Sequence, residues 1–212
     1  MVRIIALTGP SGIGKTTISR LLAAAVPDGV GIPPILTTRA PKRHDGGEYR
    51  YVSAERFREL EESGVLAAHT RLPPRREMRW YGYHREDLEA IRREGKIPVV
   101  ITERRLLQGF VAYYGREPVF SCGLLPPGTD KPAMLAELLT RLRARGRDSE
   151  ESIRARLDNA EGDLAFFTER PALFDIMLVN DDVDAAVSVL AARVRGMGLP
   201  VHEKRSAANR NQ

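Results

Sequence analysis

One segment constrains the fold of this chain more than any other: Gly9-Pro10-Ser11-Gly12-Ile13-Gly14-Lys15-Thr16. It follows the apolar run at residues 2–7, which predicts a buried strand, and precedes residues 15–26, where apolar side chains recur at helical spacing. A glycine, four residues and Gly-Lys-Thr between a strand and a helix are typical of a loop that wraps backbone N–H groups around phosphates. The following helix adds its positive N-terminal end. We therefore expect a nucleoside triphosphate site here.

The type of each residue in this loop predicts its role. Lys15 is expected to reach the β- and γ-phosphates, and Thr16 to hold Mg²⁺ through its hydroxyl. The residues of this segment that are predicted to bind the nucleotide are Gly9, Ser11, Gly12, Ile13, Gly14, Lys15, Thr16 and Thr17. The motif does not identify the molecule that receives the phosphoryl group.

Glu103 is a second, weaker element of the phosphate site and a candidate substrate-binding residue. It comes directly after the apolar run at residues 98–102, and ligands collect at the carboxyl ends of the strands in a parallel sheet. The alternative is a solvated residue just past a strand.

Short apolar runs alternate with helical patterns along most of the chain, which predicts an α/β fold with a mainly parallel sheet. The middle of the chain, about residues 35–85, is richer in short strands and loops, as in an inserted lobe. Residues 71–79 form a predicted basic loop. The predicted strands are 2–7, 35–38, 49–52, 65–70, 98–102, 118–124 and 176–179, and the predicted helices are 15–26, 54–62, 85–94, 130–145, 149–166 and 183–195. Ser53, Asp130 and Asp182 are predicted N-caps.

The composition excludes several classes of protein. With 42% hydrophobic and 29% charged residues in 212, the chain is expected to form one or two globular domains rather than a disordered protein. A single cysteine, Cys122, excludes an internal disulfide framework. No apolar run is long enough for a signal peptide or a membrane span, so we expect a cytoplasmic protein without a membrane partner.

The basic balance allows several partners, because a net charge of +5 suits nucleic acid as well as an anionic small molecule. Of the 33 basic residues, 28 are arginines, which form bidentate contacts with phosphate. Aromatic residues beside the basic loop are few (Trp80, Tyr81 and Tyr83), so no nucleic-acid partner is expected.

Several motifs together resemble the guanylate kinase family of P-loop nucleotide kinases. The motifs are residues 9–17, Thr37-Thr38-Arg39 with Pro41-Lys42, Gly47-Glu48-Tyr49 through Ser53, Trp80-Tyr81-Gly82, residues 141–157 and Val179-Asn180-Asp181-Asp182. The resemblance covers about residues 3–195 and implies a three-layer P-loop fold with an acceptor-binding lobe at about 35–85 and a helical lid at about 126–160. Residues 196–212 are expected to be a flexible polar tail.

The resemblance also implies an activity. It is that of an ATP-dependent kinase with Mg²⁺ that phosphorylates a small phosphate monoester, GMP or a related nucleoside monophosphate, as a monomer or homodimer. Arg39 and Lys42 would bind the acceptor phosphate, and Tyr49 and Tyr81 would donate hydrogen bonds to it; Lys42 stands where the family more often has arginine. Lys15 with the lid arginines Arg141, Arg145 and Arg156 would be catalytic, and Asn180 would lie beside the adenine. Apart from the resemblance, arginines on a helix are usually a solvated face, and the tyrosines could be half-buried aromatics.

Three positions depart from the family pattern on the side of the acceptor. Ile35 replaces a serine, Ala67 stands where the family has the acidic residue that recognises guanine, and Tyr83 replaces a small hydroxyl residue. The loop 71–79 is about five residues longer than usual. These departures keep open a kinase for another acceptor, such as a ribose bisphosphate or a modified nucleotide. A catalytically silent binding module is a further alternative, against which the intact Gly14-Lys15-Thr16 argues.

Overall fold

Two sheets form the framework of the computed structural model, which describes residues 3–43, 45–72, 79–146 and 148–197. The strands are β1 (Ile4–Thr8), β2 (Val30–Gly31), β3 (Ile35–Thr37), β4 (Tyr49–Tyr51), β5 (Leu66–Leu72), β6 (Arg79–His84), β7 (Ile97–Thr102), β8 (Val119–Leu125) and β9 (Ile176–Val179). The helices are α1 (Lys15–Ala25), α2 (Ala54–Glu62), α3 (Arg85–Arg93), α4 (Arg104–Tyr114), α5 (Lys131–Ala144), α6 (Glu150–Glu169) and α7 (Val183–Gly196), with a 3₁₀ turn at Pro171–Leu173.

The central sheet is parallel throughout, in the order β2-β7-β1-β8-β9. All residues of β1 are buried, and Thr8 at its end is level with Thr102 of β7 and Gly123 of β8. The Thr8 and Thr102 hydroxyl oxygens lie 2.7 Å apart. The loops after these strands therefore start at one edge of the sheet, and the predicted α/β fold with a parallel sheet is confirmed.

The second sheet is mixed, in the order β4-β3-β6-β5. Strand β3 runs parallel to β4, whereas β6 is antiparallel to both β3 and β5. One face packs on α2, where the rings of Phe57 and Trp80 meet edge to face at 5.1 Å. The other face lies towards α4, where a Cβ atom added to Gly109 would be 3.1 Å from that of Ala68. The second sheet is thus held between α2 and the layer that covers the central sheet.

Local sequence signals gave most element boundaries correctly. The helices at α1, α2, α3, α5, α6 and α7 start and end within three residues of their predicted bounds. The predicted caps form as well: Ser53 accepts from the backbone N–H of Arg56 at 3.1 Å, and Asp130 from that of Ala133 at 2.8 Å. Asp182 accepts from the N–H of Asp184 at 2.8 Å.

Three elements were missed in the sequence, and one prediction was partly wrong. Strands β2 and β6 and helix α4 were not predicted. The loop predicted over 71–79 is shorter, because Arg71 and Leu72 belong to β5 and Arg79 begins β6, where pairing across the sheet overrides the weak local signal. Arg75 and Arg76 of that loop, like the tail from 198 onwards, lie outside the described residues. No helix in the described ranges is both long and apolar enough to cross a membrane.

The hydroxyl of Tyr83 completes one edge of the central sheet. Strand β2 pairs with β7 only at Ile97 and Pro98, so it does not reach the end of β7. There the Tyr83 hydroxyl donates to the carbonyl of Ile101 at 2.9 Å and accepts from the N–H of Ile101 at 2.8 Å. Tyr83 is 1% exposed, and burial raises the pKa of its phenol. One side chain thus satisfies two partly buried backbone groups of Ile101 on the side of β7 where no described strand lies.

Replacing Tyr83→Phe is expected to lower the free energy of unfolding by about 1–3 kcal/mol, because the Ile101 N–H and carbonyl lose their partner while the ring stays. Urea denaturation monitored by circular dichroism measures the change. Tyr113→Phe is the matched control, since Tyr113 is 46% exposed and its hydroxyl accepts a hydrogen bond from the exposed side chain of Arg85. A loss of the same size in both variants would contradict the role given to the Tyr83 hydroxyl.

Candidate active site

The phosphate loop that follows β1 depends on its glycines. Gly12 and Gly14 have φ of 94° and 99°, a backbone conformation that disfavours any other residue. A Cβ atom on Gly9 would lie 2.7 Å from the carbonyl oxygen of Leu124. On Gly14 it would lie 2.8 Å from Nδ2 of Asn180. The loop ends at α1, whose first-turn N–H groups have no partner within the helix. Thr16 and Thr17 of this first turn line the same cleft as the loop.

Lys15 is the first residue of α1, and its ammonium group turns back onto the loop. Nζ donates to the carbonyl oxygens of Gly9 at 2.5 Å and Pro10 at 2.9 Å. Burial lowers the pKa of Lys15 to about 8, although Asp163 and Glu103 raise it. The ammonium is therefore held in position by the backbone and remains mostly protonated at neutral pH.

Asn180 supports the loop from behind. Its Nδ2 donates to the carbonyl of Ile13 at 2.5 Å, and its backbone N–H donates to that of Leu125 at 2.8 Å. The Oδ1 atom is buried and has no hydrogen-bond partner among the described residues. Ile13 is itself fully buried. Asn180 and Ile13 thus shape the loop from its inner side and do not line the cleft in front of it.

A second group of predicted residues lies on the second sheet. Arg39, 8% exposed, donates to the Asp45 carboxylate at 2.9 Å and lies over the ring of Tyr49 at 4.5 Å. Burial lowers the pKa of Arg39, but the hydrogen bond to Asp45 and the nearby phenols raise it above its ordinary value. Burial raises the pKa of Asp45, while hydrogen bonds from Arg39, Tyr51 and the Lys42 N–H bring it down to about 2. Arg39 is therefore a fixed positive charge.

Four residues form a bridge between the second sheet, the α5–α6 connection and the phosphate loop. Lys42 Nζ lies 2.9 Å from a carboxylate oxygen of Asp148, and Arg156 lies 3.2 Å from the same oxygen. Arg156 also donates to the hydroxyl of Ser11. The Asp148 side chain is 4% exposed. Burial raises its pKa, but the ion pairs lower it overall, so it stays ionised. We call Lys42, Asp148, Arg156 and Ser11 the cation bridge.

Most of the predicted site residues line one cleft of about 1720 Å³. The predicted residues along it are Gly9, Ser11, Gly12, Gly14, Lys15, Thr16, Thr17, Arg39, Lys42, Tyr49, Tyr81, Glu103, Arg141, Arg145 and Arg156. Arg141 is held by Glu137 at 2.6 Å. The cleft is lined by 12 lysines and arginines against seven acidic side chains, so its charge suits an anionic ligand.

Glu103 uses both carboxylate oxygens locally. They accept from the backbone N–H groups of Arg105 at 3.0 Å and Leu106 at 2.9 Å, which caps α4. Glu103 thus belongs to the cleft wall and also begins a helix. No cluster of three or more metal-ligating side chains occurs within the described ranges.

Sequence reasoning missed three acids of the cleft: Asp45, Asp148 and Asp163. Asp163 faces Lys15 and Glu103, and burial raises its pKa to about 6. It follows Arg156 by seven residues, which puts both side chains on one face of α6, so helical spacing could have identified it. Asp45 and Asp148 lie in connecting segments whose contacts with Arg39 and Lys42 only the tertiary fold creates.

Comparisons with known proteins agree with this geometry. A family model described as guanylate kinase matches residues 1–104. The guanylate kinase of Paramagnetospirillum magneticum is 32% identical over 207 residues, which covers 93% of this chain and 89% of that protein. The guanylate kinase of Thermosynechococcus vestitus is 33% identical over 198 residues, 91% of this chain and 93% of that protein.

A solved structure supports the same fold. The crystal structure of guanylate kinase from Anaplasma phagocytophilum matches 92% of this chain and 85% of that chain, with a TM-score of 0.64 and 22% sequence identity. At that identity the likeness concerns the fold alone.

Replacing Asp163→Asn is expected to raise the free energy of unfolding at pH 7 by about 1–3 kcal/mol, because the folded protein holds this carboxylate at a cost. The pKa is about 6 in the folded chain against an ordinary 3.8, so the folded state binds more protons between these values. The free energy of unfolding of the wild type therefore falls as the pH rises through this window. The difference in free energy of unfolding between the variant and the wild type grows over the same range.

Denaturation curves at several pH values between 3.5 and 7 measure this difference (about four pH values suffice to trace it). Asp158→Asn is the control, because Asp158 is exposed on the same helix. A gap between Asp163→Asn and wild type that does not change with pH would contradict the role of burial.

Proposed function

Since this chain belongs to the guanylate kinase family of P-loop nucleotide kinases, which use ATP and Mg²⁺, we propose that it transfers the γ-phosphoryl group of ATP to the phosphate of a small monoester, GMP being the acceptor of the family. One observation carries the proposal. A single cleft is lined both by the phosphate loop with Lys15 and by Arg39, Tyr49 and Tyr81 of the second sheet and its loop. Two groups of residues suited to phosphate on one cleft support transfer between two phosphates.

The residues of the loop fit a nucleoside triphosphate with Mg²⁺. Gly12 and Gly14 are left-handed and carry no side chain that could cover the backbone N–H groups of the loop, and Thr16 carries a hydroxyl at the start of α1 and lines the cleft. When bound, ATP and Mg²⁺ supply the phosphoryl group and neutralise the charge on its oxygens. The Nε atom of Arg156, a residue that lines the cleft, is a further buried polar atom without a hydrogen-bond partner among the described residues.

The chain provides positive charge on the donor side in fixed positions. Lys15 is aligned by two backbone carbonyls, and Arg156 is aligned by Asp148 and Ser11. We assign Lys15, Arg141, Arg145 and Arg156 to the stabilisation of charge that develops during transfer. Preorganised charges need no reorientation during the reaction. Stabilisation of the transition state by such charges is usually the largest single contribution to the rate enhancement of an enzyme.

On the acceptor side, Arg39 and Lys42 would hold the acceptor phosphate, and Tyr49 and Tyr81 would donate to its oxygens. An acceptor phosphate is already anionic and nucleophilic, so these residues need only to position it. No general base is required. Asp45 contributes indirectly, because it fixes the guanidinium of Arg39.

We assign the second sheet, within about residues 35–85, to an acceptor lobe and about residues 126–160 to a lid. The ion pair between Lys42 and Asp148 supports this, because it joins the two segments across the cleft. A closed lid would exclude water and limit hydrolysis of ATP. We further expect a cytoplasmic monomer or homodimer that acts on small molecules.

Replacing Lys15→Met is expected to lower the rate of acceptor-dependent ADP formation by about 100-fold or more, since it removes a preorganised charge. A coupled ADP assay with ATP, Mg²⁺ and a panel of nucleoside monophosphates and phosphorylated sugars measures it. Lys96→Met is the control, because Lys96 lies 3.2 Å from Glu94 and does not line the cleft. ADP formation by the wild type that no acceptor increases would refute the proposed function.

Replacing Asp148→Asn is expected to lower kcat/KM for the acceptor by about tenfold, because Lys42 and Arg156 lose the charge that positions them. Steady-state kinetics with the best acceptor of the panel measure it. Glu150→Gln is a matched control two residues away, since Glu150 is exposed and pairs with Arg143. Equal kcat/KM values in the two variants would show that the cation bridge does not serve catalysis.

A further inference from the structure

A second cavity, of about 270 Å³, adjoins the cleft on the side of helix α1. The two spaces share part of their walls, which consists of Thr16, Arg20, Ile35, Glu48 and Ile101. Pockets that take a whole drug-sized ligand measure roughly 300–1,000 Å³, so the cavity suits one ring system of a larger ligand. The remainder of that ligand would lie in the cleft.

The walls of the cavity are mostly apolar. The apolar part is supplied by residues 32–35, Val99, Ile101 and Tyr83. Two of the polar atoms at the cavity are already engaged, since the Tyr83 hydroxyl bonds to Ile101 and the Ser19 hydroxyl donates to the Thr16 carbonyl at 3.0 Å. A mostly apolar cavity with a few placed polar groups is typical of a site for a small organic ligand.

Glu48 is the one acidic side chain among the described residues that line this cavity. Its Oε2 atom accepts from the guanidinium of Arg20 at 2.8 Å and from the N–H of Gly46 at 2.7 Å. None of the hydrogen bonds among the described residues ends at Oε1. The side chain is 14% exposed. Because a carboxylate can accept through both oxygens, Oε1 keeps its capacity to accept from a ligand.

The Glu48 carboxylate is held in place before any ligand arrives. Arg20 lies against the backbone at Gly46, where it also donates to the Gly46 carbonyl at 3.2 Å. A Cβ atom on residue 46 would collide with the guanidinium of Arg20, so this close approach depends on the glycine. A ligand therefore meets an acid whose position is already fixed, which lowers the entropic cost of binding.

The cavity begins beside the residues assigned to the acceptor phosphate. Glu48 directly precedes Tyr49, whose ring lies 4.5 Å from the guanidinium of Arg39. Ile35 is paired with Tyr49 and lines the cavity. Ala67, in contrast, belongs to a buried apolar cluster and lines neither space. An acceptor whose phosphate lies at Arg39 and Tyr49 thus has Glu48 next to its organic part.

Resting on the function proposed above, we propose that this cavity takes the base of the acceptor nucleotide and that Oε1 of Glu48 accepts a hydrogen bond from the 2-amino group of guanine. Glu48 is then a specificity-determining residue. A carboxylate is an acceptor only, so it favours a base edge that carries N–H groups. Xanthine has an oxygen in place of the 2-amino group, and two acceptors facing each other in the cavity would both lose their partners.

The first test uses the wild type alone and compares GMP, IMP and XMP as acceptors. Their bases differ at carbon 2, which carries an amino group in GMP, hydrogen in IMP and oxygen in XMP. We expect kcat/KM to fall in that order, by about tenfold or more from GMP to XMP. Equal kcat/KM values, or a preference for XMP, overturn the inference and leave the proposed function intact.

The second test reverses the hydrogen-bonding character of residue 48 with Glu48→Gln. The donors of Arg20 and Gly46 hold the amide oxygen on their side, so the amide NH₂ takes the place of Oε1. We expect kcat/KM to fall about tenfold for GMP and to rise about tenfold for XMP, with the changes in KM rather than kcat. A protein that is merely damaged would not gain activity with XMP.

Glu59→Gln is the matched control, since Glu59 is an exposed glutamate that also pairs with an arginine, Arg56, at 2.8 Å. It should keep the wild-type order of acceptors. An unchanged ratio of GMP to XMP in Glu48→Gln, or an equal loss with all three nucleotides, overturns the inference. Urea denaturation checks that the variant folds, and if it does not, the comparison of acceptors on the wild type decides.

Titration calorimetry separates this inference from the proposed function. If none of the three nucleotides increases ADP formation by the wild type, the proposed function fails. The affinities for GMP and XMP, measured without ATP, then decide the role of Glu48. Tighter binding of GMP by the wild type and of XMP by Glu48→Gln supports it, and the same order of affinities in both proteins overturns it.

Discussion

The burial of the Lys15 ammonium group is the constraint on which the rest of the site depends. Burial lowers its pKa to about 8, so the folded chain must compensate a charge that water no longer stabilises. The carbonyls of Gly9 and Pro10 do this locally, and Asp163 and Glu103 do it from other elements. The loop can curl around the ammonium only because Gly12 and Gly14 adopt a left-handed backbone. The parallel register of β1 and β7 then brings Glu103 to the same edge of the sheet.

Three acids of the cleft, Asp45, Asp148 and Asp163, lie beside cations of the site and help to position them. Asp45 fixes Arg39, Asp148 fixes both Lys42 and Arg156, and Asp163 faces Lys15. A long flexible cation loses side-chain entropy when a ligand orders it, and an acid that orders it beforehand removes part of that cost. With 12 cations against seven acids, the cleft keeps an excess of positive charge for two sets of phosphates. The excess of basic over acidic residues that gives the chain its net charge of +5 is thus also found in this cleft.

Features encoded locally could be predicted from the sequence, and features created by pairing across the fold could not. The phosphate loop and the N-caps Ser53, Asp130 and Asp182 are set by residues within a few positions of one another. Strand β6 has a weak local pattern and exists because β3 and β5 lie on either side of it. Helix α4 does have apolar residues at helical spacing (Leu106, Leu107 and Phe110), a signal that sequence reasoning passed over. The cation bridge joins positions 106 residues apart, and no spacing rule predicts it.

The departures from the family pattern gain their meaning from the tertiary structure. As single substitutions, Ile35, Ala67 and Tyr83 would each be a small loss of polarity in an acceptor site. The structure puts them into one buried cluster together with Leu88, Val100, Leu107 and Phe110. Tyr83 also satisfies the backbone of Ile101 beyond the end of β2, so a residue of the second sheet stabilises the central sheet. A side chain that is packed in this cluster and bonded to Ile101 cannot be exchanged alone without losing stability, because the exchange removes both the packing and the partner of two backbone groups.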